Sequence, residues 1–300
     1  MDFRQLESFV AIAKTKNFSQ AAEKLFLTQP ALSNHITKLE NELGVTLFER
    51  NNKKTELTPP GKVFYISALA MLNQREAAIL NLNDFQGRIE GILEIGTSSV
   101  PGQYLLPDIL KRFNADYPDV VFNIHYLSSK QVLSSILSGE MDFGIVGVNP
   151  TNSLLTCEKI ADDILVAIAP NKPPFDIMDT ISAEELLRYR LLLRHEGSGT
   201  RQVFENAINE YFKEKVHLKT VAYIDNNEMI YICVKKGLGI SIVSSLAVAD
   251  KAAVGQLKIL PLKDLQIRRS FYFVYPKSRT LSPLVMRFKD FILETTITID

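Results

Sequence analysis

The sequence predicts an α/β protein with a small all-α N-terminal part, a long connecting helix and a larger α/β part. Three observations indicate this division. Residues 1–58 hold short segments with apolar residues at helical spacing, and residues 59–90 hold one long helical stretch. From Gly91 onward, short apolar strands alternate with amphipathic helices, which is typical of a sheet with parallel strands. A chain of 300 residues is long enough for two domains.

The composition is that of an ordinary soluble protein. Hydrophobic residues make up 46% and charged residues 23%, and 34 basic residues balance 34 acidic ones. Any nucleic-acid binding must therefore use a local basic patch. No signal peptide and no run of about 20 apolar residues is present, so we expect a cytoplasmic protein without a membrane partner. The two cysteines, Cys157 and Cys233, fit a reducing compartment, although a redox-sensing pair is an alternative.

The first part contains three predicted helices. The first has an apolar face made of Leu6, Phe9, Val10 and Ala13. The second repeats this spacing with Phe18, Ala21, Ala22 and Leu25, and we expect Ser19 to be its N-cap. After a short connection, Thr28 can cap a third helix that has Pro30 in its first turn and Gly44 as its C-cap. Two helices joined by so short a turn predict a helix-turn-helix.

The third helix has an outer surface suited to the major groove of DNA. Its apolar positions leave short hydrogen-bonding side chains outside, namely Gln29, Ser33, Asn34, Thr37 and Lys38. Gln and Asn can read adenine bidentately, and Ser and Thr can bind bases or phosphates. A solvated polar face is the alternative. DNA reading is favoured because two short strands, at 45–50 and 55–58, flank a basic tip and predict a wing.

The charge of the first 60 residues is uneven. Eight basic residues face seven acidic ones, but Arg50, Lys53 and Lys54 cluster at the wing. Phosphate contacts are therefore expected there, and a useful affinity would need a dimer.

One long segment resembles a known family. FSQAAEKLFLTQPALSNHITKLENELGVTLFER followed by LTPPG is similar to the N-terminal signature of LysR-type transcriptional regulators. The resemblance implies base or phosphate contacts from helix three and backbone contacts from the wing. The candidate DNA-binding residues are Thr28, Gln29, Pro30, Ser33, Asn34, Thr37, Lys38, Arg50, Lys53 and Lys54. The sequence departs from the family pattern at Pro59-Pro60, which we expect to stiffen the start of the next helix without changing function.

The connecting helix carries an apolar stripe made of Tyr65, Leu69, Leu72, Ile79 and Leu82, which Glu76 interrupts. We expect Thr58 to cap this helix and Gly87 to end it. The spacing is nearly heptad, so it predicts a helix-helix seam between subunits, and packing on its own domain is the alternative. The family resemblance favours the seam and implies homodimers that pair into homotetramers. RNA polymerase is a further partner for such a regulator.

The α/β part divides into two series of strands. Predicted strands at 91–99, 120–129 and 142–148 form the first, and strand segments at 164–170, 190–201, 221–225 and 239–245 form the second. Strand 268–275 and a helix near Leu284–Leu293 close the chain. The family implies a periplasmic-binding-protein-like effector domain at 91–300. Subdomain I would comprise 91–163 and 269–300, and subdomain II 164–268, with a cleft between them.

Three loops have the chemistry of an anion site. They are Thr97-Ser98-Ser99 before Gly102, Ser128-Ser129-Lys130, and residues 196–201. All have small hydroxyl side chains near a helix N-terminus, where backbone amides favour negative charge, and two of them have glycine nearby. Arg201 can add a bidentate clamp, while simple helix capping explains each loop separately. The candidate effector-binding residues are Thr97, Ser98, Ser99, Gly102, Ser128, Ser129, Gly147, His195, Ser198, Gly199, Thr200 and Arg201.

The sequence lacks the patterns of an enzyme. The four histidines show no metal-ligand spacing, and neither a nucleophile elbow nor a Walker motif is present, so we expect no enzyme, cofactor or metal. A solute-binding protein without a DNA role is the other class considered. The segments GTSSVPGQYLLP and HEGSGTR resemble LysR regulators of sulfur or selenium assimilation and of carbon fixation. This likeness implies a small anion or an acylated amino acid as effector, and we expect a sulfate-like anion, a carboxylate or a phosphorylated metabolite.

Overall fold

The computed structural model describes residues 1–51, 54–85, 89–253, 255–277, 279 and 281–294. Lys53 and Gly87, together with the side chains of Arg50 and Lys54, lie outside this described part. No helix among the described residues has the length and apolar character needed to cross a membrane.

The N-terminal domain consists of three helices and a two-stranded wing. The helices are α1 (Phe3–Thr15), α2 (Phe18–Lys24) and α3 (Gln29–Leu43), and the strands are β1 (Phe48–Asn51) and β2 (Lys54–Leu57). Leu32, Ile36 and Leu39 of α3 are fully buried against Phe9 and Ile12 of α1 in one apolar core.

The caps of these helices explain where each begins and ends. Thr28 caps α3 by accepting a hydrogen bond from the Ala31 amide, and Gly44 ends it in the left-handed conformation at φ 70°. The predicted cap of α2 was wrong. Asn17, not Ser19, is the N-cap, because the helix starts two residues earlier and the Asn17 side chain accepts hydrogen bonds from the amides of Ser19 and Gln20.

The long helix α4 spans Pro59–Phe85, and its predicted stripe divides in two. Thr58 caps it by accepting the Gly61 amide at 3.0 Å. Tyr65 and Leu69 are buried in the core of the N-terminal domain, and Leu72 packs against the same core. Ile79 and Leu82 are 47% and 67% exposed. The alternative of packing on its own domain therefore holds for the first half of α4, while the second half presents an exposed apolar surface.

The remaining chain forms one nine-stranded sheet in the order β4-β3-β5-β11-β6-β9-β7-β8, with β10 on β6. Its strands are β3 (Glu90–Ser98), β4 (Asp119–Leu127), β5 (Gly144–Val146), β6 (Leu155–Pro170), β7 (Leu191–Arg194), β8 (Thr220–Ile224), β9 (Ile240–Ser244), β10 (Leu257–Leu260) and β11 (Ile267–Pro276). β3, β4 and β5 are parallel, as are β7, β8 and β9. The sheet as a whole is mixed because β6 and β11 pair antiparallel along their length.

Helices cover the two halves of this sheet. They are α5 (Ser99–Tyr104), α6 (Leu106–Asp116), α7 (Ser129–Ser138), α8 (Ala183–Arg188), α9 (Gly199–Phe212), α10 (Asn227–Lys235), α11 (Ala249–Ala253) and α12 (Pro283–Glu294). One apolar core gathers α6 and α12 around Phe113 and Phe288, and another gathers α8 and α9 around Leu186 and Phe204. The long strands β6 and β11 connect the two halves. The predicted α/β fold class with two subdomains is confirmed.

Candidate DNA-binding surface and effector cleft

The outer surface of α3 is polar and accessible. Its candidate residues Thr28, Gln29, Pro30, Asn34, Thr37 and Lys38 are exposed, and Ser33 is half-buried. Two hydroxyls are partly used inside the domain, since Thr37 donates to the Ser33 carbonyl at 3.0 Å and Ser19 donates to Gln29 Oε1 at 3.3 Å. This surface is therefore free to approach DNA from the side opposite the buried residues of the same helix.

The turn before α3 has an unusual residue. Phe26 is 97% exposed and has a φ of 54°, a left-handed conformation that bulky side chains rarely adopt. The strain and the exposure are both unfavourable for folding, so this position is not explained by packing. On the far side of α3, the β1–β2 ladder joins Phe48–Asn51 to Lys54–Leu57, as a wing requires.

The predicted effector loops converge between the two halves of the α/β domain. A cavity of about 10 Å³ lies there, lined by Ser98, Ser99, Val100, Leu127, Ser128, Ser129, Arg194, His195, Ser198, Gly199, Thr200 and Arg269. Such a volume holds about one water molecule, so these side chains leave little space between them. The backbone of α9 approaches closely here, because a Cβ on Gly199 would lie 3.1 Å from Ser129 Oγ and 3.2 Å from the Gly147 carbonyl oxygen.

Helix capping explains only one of these loops. Ser128 forms a capping box with Gln131 at the start of α7. Ser98 and Ser198 occupy the cap positions of α5 and α9 but make no side-chain cap hydrogen bond. Their hydroxyls are therefore not committed to capping, which distinguishes them from ordinary cap residues.

Arg194 is the first buried cation of the cleft, and it stands at the end of β7 with 5% exposure. Its guanidinium donates to Ser99 Oγ at 3.1 Å, to the Asp225 carbonyl at 2.7 Å and to Asn227 Oδ1. Burial lowers the pKa of Arg194, and the positive charge of Arg269 contributes to the same direction. Arg194 forms no ion pair with any described residue. Its charge is thus held in place by neutral acceptors.

Arg269 on β11 is the second buried cation. Its Nε donates to Asp163 Oδ2 at 2.7 Å, and its Nη1 donates to Thr200 Oγ1 at 3.0 Å. The two side chains of this ion pair are 4% and 0% exposed, and the Ser244 hydroxyl donates to the other Asp163 oxygen at 2.7 Å. Burial lowers the pKa of Arg269, which Asp163 partly counteracts. Asp163 therefore neutralises only one of the two buried arginines.

Several donors near these arginines have no hydrogen-bond partner in the described chain. They are Nε of Arg194, Nδ2 of Asn227 and Nη2 of Arg269, all of them buried. Buried donors are nearly always paired in proteins, so each of these is unfavourable unless a ligand or water accepts from it. All three are donors, which means that the cleft is suited to a group rich in acceptors.

Four predicted effector residues do not line this cavity. Thr97 is fully buried beneath Gly102, where a Cβ would lie 2.6 Å from Thr97 Cγ2, so both serve packing. Gly147 provides the close approach to Gly199 described above. Arg201 forms an ion pair with Glu205 at 2.7 Å and stacks on Tyr223. With Ser129 and Ser198, Arg201 lines a neighbouring cavity of about 390 Å³.

Sequence reasoning did not single out Arg194, Arg269 or Asn227. The available signal was a charged residue at a position that the strand pattern buries. Arg194 ends the apolar run LLLR, and in RRSFYFVY the alternation turns Arg269 inward and Arg268 outward.

His195 and the cysteines have ordinary surroundings. Nδ1 of His195 lies 2.8 Å from Asp225 Oδ1, at the rim of the cavity. Cys157 and Cys233 are unpaired and belong to separate apolar clusters, and burial raises the pKa of the Cys157 thiol. A raised pKa disfavours the reactive thiolate. Among the described residues, no group of three or more His, Cys, Asp or Glu side chains is placed to hold a metal ion.

Comparison with known families identifies the class of protein. The model for bacterial regulatory helix-turn-helix proteins of the lysR family matches residues 3–62, and the LysR substrate binding domain matches residues 86–296. The chain therefore belongs to the LysR family. It is a DNA-binding transcriptional regulator with an effector-binding domain, not a free solute-binding protein.

Similar proteins span nearly the whole chain. The HTH-type transcriptional activator CmpR of Synechocystis sp. is 32% identical over 292 residues, covering 96% of this chain and 93% of CmpR. Full-length OxyR from Pseudomonas aeruginosa has the same fold at a TM-score of 0.76 and 24% identity, over 97% of this chain and 94% of that one. The regulatory domain of Synechocystis CcmR, solved in complex with 2-PG, matches at a TM-score of 0.64 and 24% identity. The match covers 70% of this chain and 99% of that domain. The curated relatives are transcriptional regulators, which are not enzymes.

Proposed function

We propose that this regulator responds to a small anion bound between Arg194 and Arg269, and that α3 and the wing read double-stranded promoter DNA. One observation carries the effector proposal: two buried guanidiniums line one small cavity, and among the described residues a carboxylate pairs with only one of them. A buried charge without a counter-ion is unfavourable. An anion would remove that cost and accept from the unpartnered donors.

The chemistry of the cleft favours oxyanions. A sulfate-like anion, a carboxylate or a phosphorylated metabolite would each accept several hydrogen bonds from guanidinium and hydroxyl donors. The hydroxyl oxygens of Ser99 and Thr200 already accept hydrogen bonds from these arginines, so they are placed to complete the set. The complex of the CcmR regulatory domain with 2-PG supports a small-ligand site in this kind of domain. No catalytic step is needed for this role.

Ligand access requires the cleft to open. A cavity of about 10 Å³ is too small for sulfate or a metabolite, so the ligand enters an open form and favours closure around itself. The connections that would bend are β6 and β11, since both strands pass between the halves of the domain. The shift in domain orientation is limited by the ligand's differential affinity for the two forms, typically about 1–3 kcal/mol of coupling.

DNA binding would use two copies of the chain. A single recognition helix with a modest wing charge gives limited affinity, and a dimer doubles the contacts. The exposed Ile79 and Leu82 on α4 support a helix seam between subunits, which would form a homodimer and, by further pairing, a homotetramer. RNA polymerase is the expected partner at the promoter, and the cytoplasm is the compartment where all these partners meet.

A thermal-shift experiment on the full-length protein tests the effector proposal. Sodium sulfate and a set of small phosphorylated and carboxylated acids are compared with sodium chloride at matched ionic strength. We expect at least one oxyanion to raise the unfolding temperature of the wild type but not of Arg194→Met. Arg201→Met is the matched control and should keep the response, because Glu205 already neutralises Arg201.

Two results would contradict this assignment. An oxyanion response that survives in Arg194→Met would place the anion elsewhere. A thermal response that is lost in Arg201→Met but kept in Arg194→Met would show that Arg201, and not Arg194, binds the anion.

A further inference from the structure

The N-terminal domain is docked on the effector domain of the same chain. Lys14 forms an ion pair with Asp142 at 3.3 Å, and Lys16 forms one with Glu140 at 2.8 Å. The hydroxyl of Tyr65 is buried and donates to the Gly139 carbonyl at 2.9 Å. These contacts fix the end of α7 against α1 and α4.

Another cavity, much larger than the cleft, opens beside this junction. Its volume is about 490 Å³, which is in the range of small-molecule sites. The N-terminal domain lines it with Ala13, Lys16, Phe48, Thr55, Glu56, Leu57, Lys62, Tyr65 and Ile66, and the effector domain lines it with Leu137, Ser138 and Arg279. None of these residues lines the effector cleft. The two cavities are therefore separate.

The walls of this junction cavity combine apolar surface with excess positive charge. Phe48, Leu57, Ile66 and Leu137 provide the apolar part. Three cations, Lys16, Lys62 and Arg279, line it against the single carboxylate of Glu56.

Only one of these cations has an acidic partner within reach. Lys16 is paired with Glu140, whereas Lys62 is exposed and forms no ion pair with a described residue. The Arg279 guanidinium lies 5.4 Å from the centroid of the Tyr65 ring, and its buried Nη1 has no hydrogen-bond partner in the part of the chain described. Lys62 and Arg279, from different domains, thus leave positive charge unmatched at this cavity.

We propose that the junction cavity is a second ligand site, and that it takes a small amphipathic anion. The acidic group would lie against Lys62 and Arg279, and the apolar body against Phe48, Leu57 and Ile66. Since both domains line the site, such a ligand favours the docked arrangement over a separated one. This proposal stands independently of the anion assigned to the cleft.

An aromatic sulfonate dye, 8-anilinonaphthalene-1-sulfonate, is the probe of choice, because it is an amphipathic anion whose fluorescence rises on binding. With the folded full-length protein we expect saturable binding at one site per chain. Lys62→Glu should weaken this binding about tenfold or more, since a charge-assisted contact becomes a repulsion. Ser138→Trp should also abolish it by filling the cavity from the exposed end of α7. Lys62→Arg keeps the charge and should retain binding.

Matched controls separate this site from general surface effects. Lys111→Glu on α6 and Ser134→Trp on α7 change exposed residues outside the cavity lining, and both should bind the dye like the wild type. Arg194→Met should do so too, because it alters only the effector cleft. Unchanged binding in both Lys62→Glu and Ser138→Trp would overturn the proposal. Loss of binding in Arg194→Met alone would also overturn it, because the dye would then bind in the effector cleft.

Discussion

Replacing Asp163 by Asn tests the electrostatics of the cleft most directly. The substitution keeps the shape of the side chain and a carbonyl oxygen for the Ser244 hydroxyl. It removes the one carboxylate among the described residues that pairs with Arg269, at an Nε–Oδ2 distance of 2.7 Å. Two buried guanidiniums would then lie in the cleft, neither of them hydrogen-bonded to a described carboxylate. We therefore expect Asp163→Asn to destabilise the effector domain strongly.

The size of the effect follows from burial. The side chain of Arg269 is 4% exposed and that of Asp163 0%, and removing one partner of such a pair lowers the free energy of unfolding by about 3–5 kcal/mol. For a domain of this size, 1 kcal/mol lowers the unfolding temperature by roughly 2–4 °C, so a loss of about 6–20 °C is expected. Because the variant cleft carries more unmatched positive charge, sulfate should raise its unfolding temperature more than it raises that of the wild type.

The neighbouring residue provides a matched control. Asp162 is also paired, with Lys159 at 2.7 Å, but its side chain is 69% exposed. Exposed pairs contribute less than about 1 kcal/mol, so Asp162→Asn should be nearly neutral. Thermal unfolding followed by circular dichroism compares the two. An equally small decrease of the unfolding temperature in both variants would refute the reasoning that the buried arginines determine the stability of this cleft.

Four other predictions concern the remaining features. Gln29→Ala should lower affinity for the cognate promoter in a mobility-shift assay by about 1–3 kcal/mol, as expected for a lost base contact. Leu82→Glu places charge in the exposed half of the α4 stripe, so light scattering should show a smaller oligomer. Phe26→Gly relieves the left-handed conformation at φ 54° and should stabilise the protein by up to about 1 kcal/mol in denaturant unfolding. The Lys16 ammonium lowers the pKa of Glu140 below its usual 4.5. The ion pair therefore stabilises the junction above that pH, and this stabilisation is lost as the pH falls through the lowered pKa. Glu140→Gln should be less stable than the wild type at about pH 7, and the difference should vanish at acidic pH.

Each of these predictions has a control. Asn41→Ala, on the exposed far end of α3, should leave promoter affinity unchanged, and equal losses at both positions would contradict base reading by Gln29. Val63→Glu lies on nearly the opposite face of α4 from Ile79 and should leave the oligomer intact. Phe26→Ala keeps a Cβ and should give no stabilisation; a gain equal to that of glycine would show that backbone strain is not the cause. For Glu140, a difference that persists at acidic pH would exclude the ion pair as its source.

The sequence predicted the N-terminal domain well because its signals are local. The apolar spacing of α3, the Thr28 cap and the Gly44 end all act within a few residues, and each is present in the structure. The strands of the α/β part could be located for the same reason. The packing of the first half of α4 was harder to predict, because Tyr65 could contact either another subunit or the N-terminal domain of its own chain. Only the packing of α1 against Tyr65 decides between the two.

The cleft shows the limit of local reasoning. The loops with serine and glycine, and Arg201 beside one of them, were identified from the sequence, whereas the buried Arg194 and Arg269 were not. Which arginine faces the cavity depends on Glu205, Tyr223 and the approach of the two subdomains, and none of these follows from spacing along the chain. The pairing of Arg269 with Asp163 joins residues 106 positions apart.

The two ends of helix α7 contact different parts of the molecule. Ser128 and Ser129 at its start line the cleft, and Gly139 just after its end receives the Tyr65 hydrogen bond. Ten residues of helix form a stiff rod about 15 Å long. A helix of this length moves as one piece, so an axial displacement of its first residue would displace its last residue by nearly the same distance. Within a single chain, α7 is therefore an element that directly joins the lining of the cleft to the N-terminal domain.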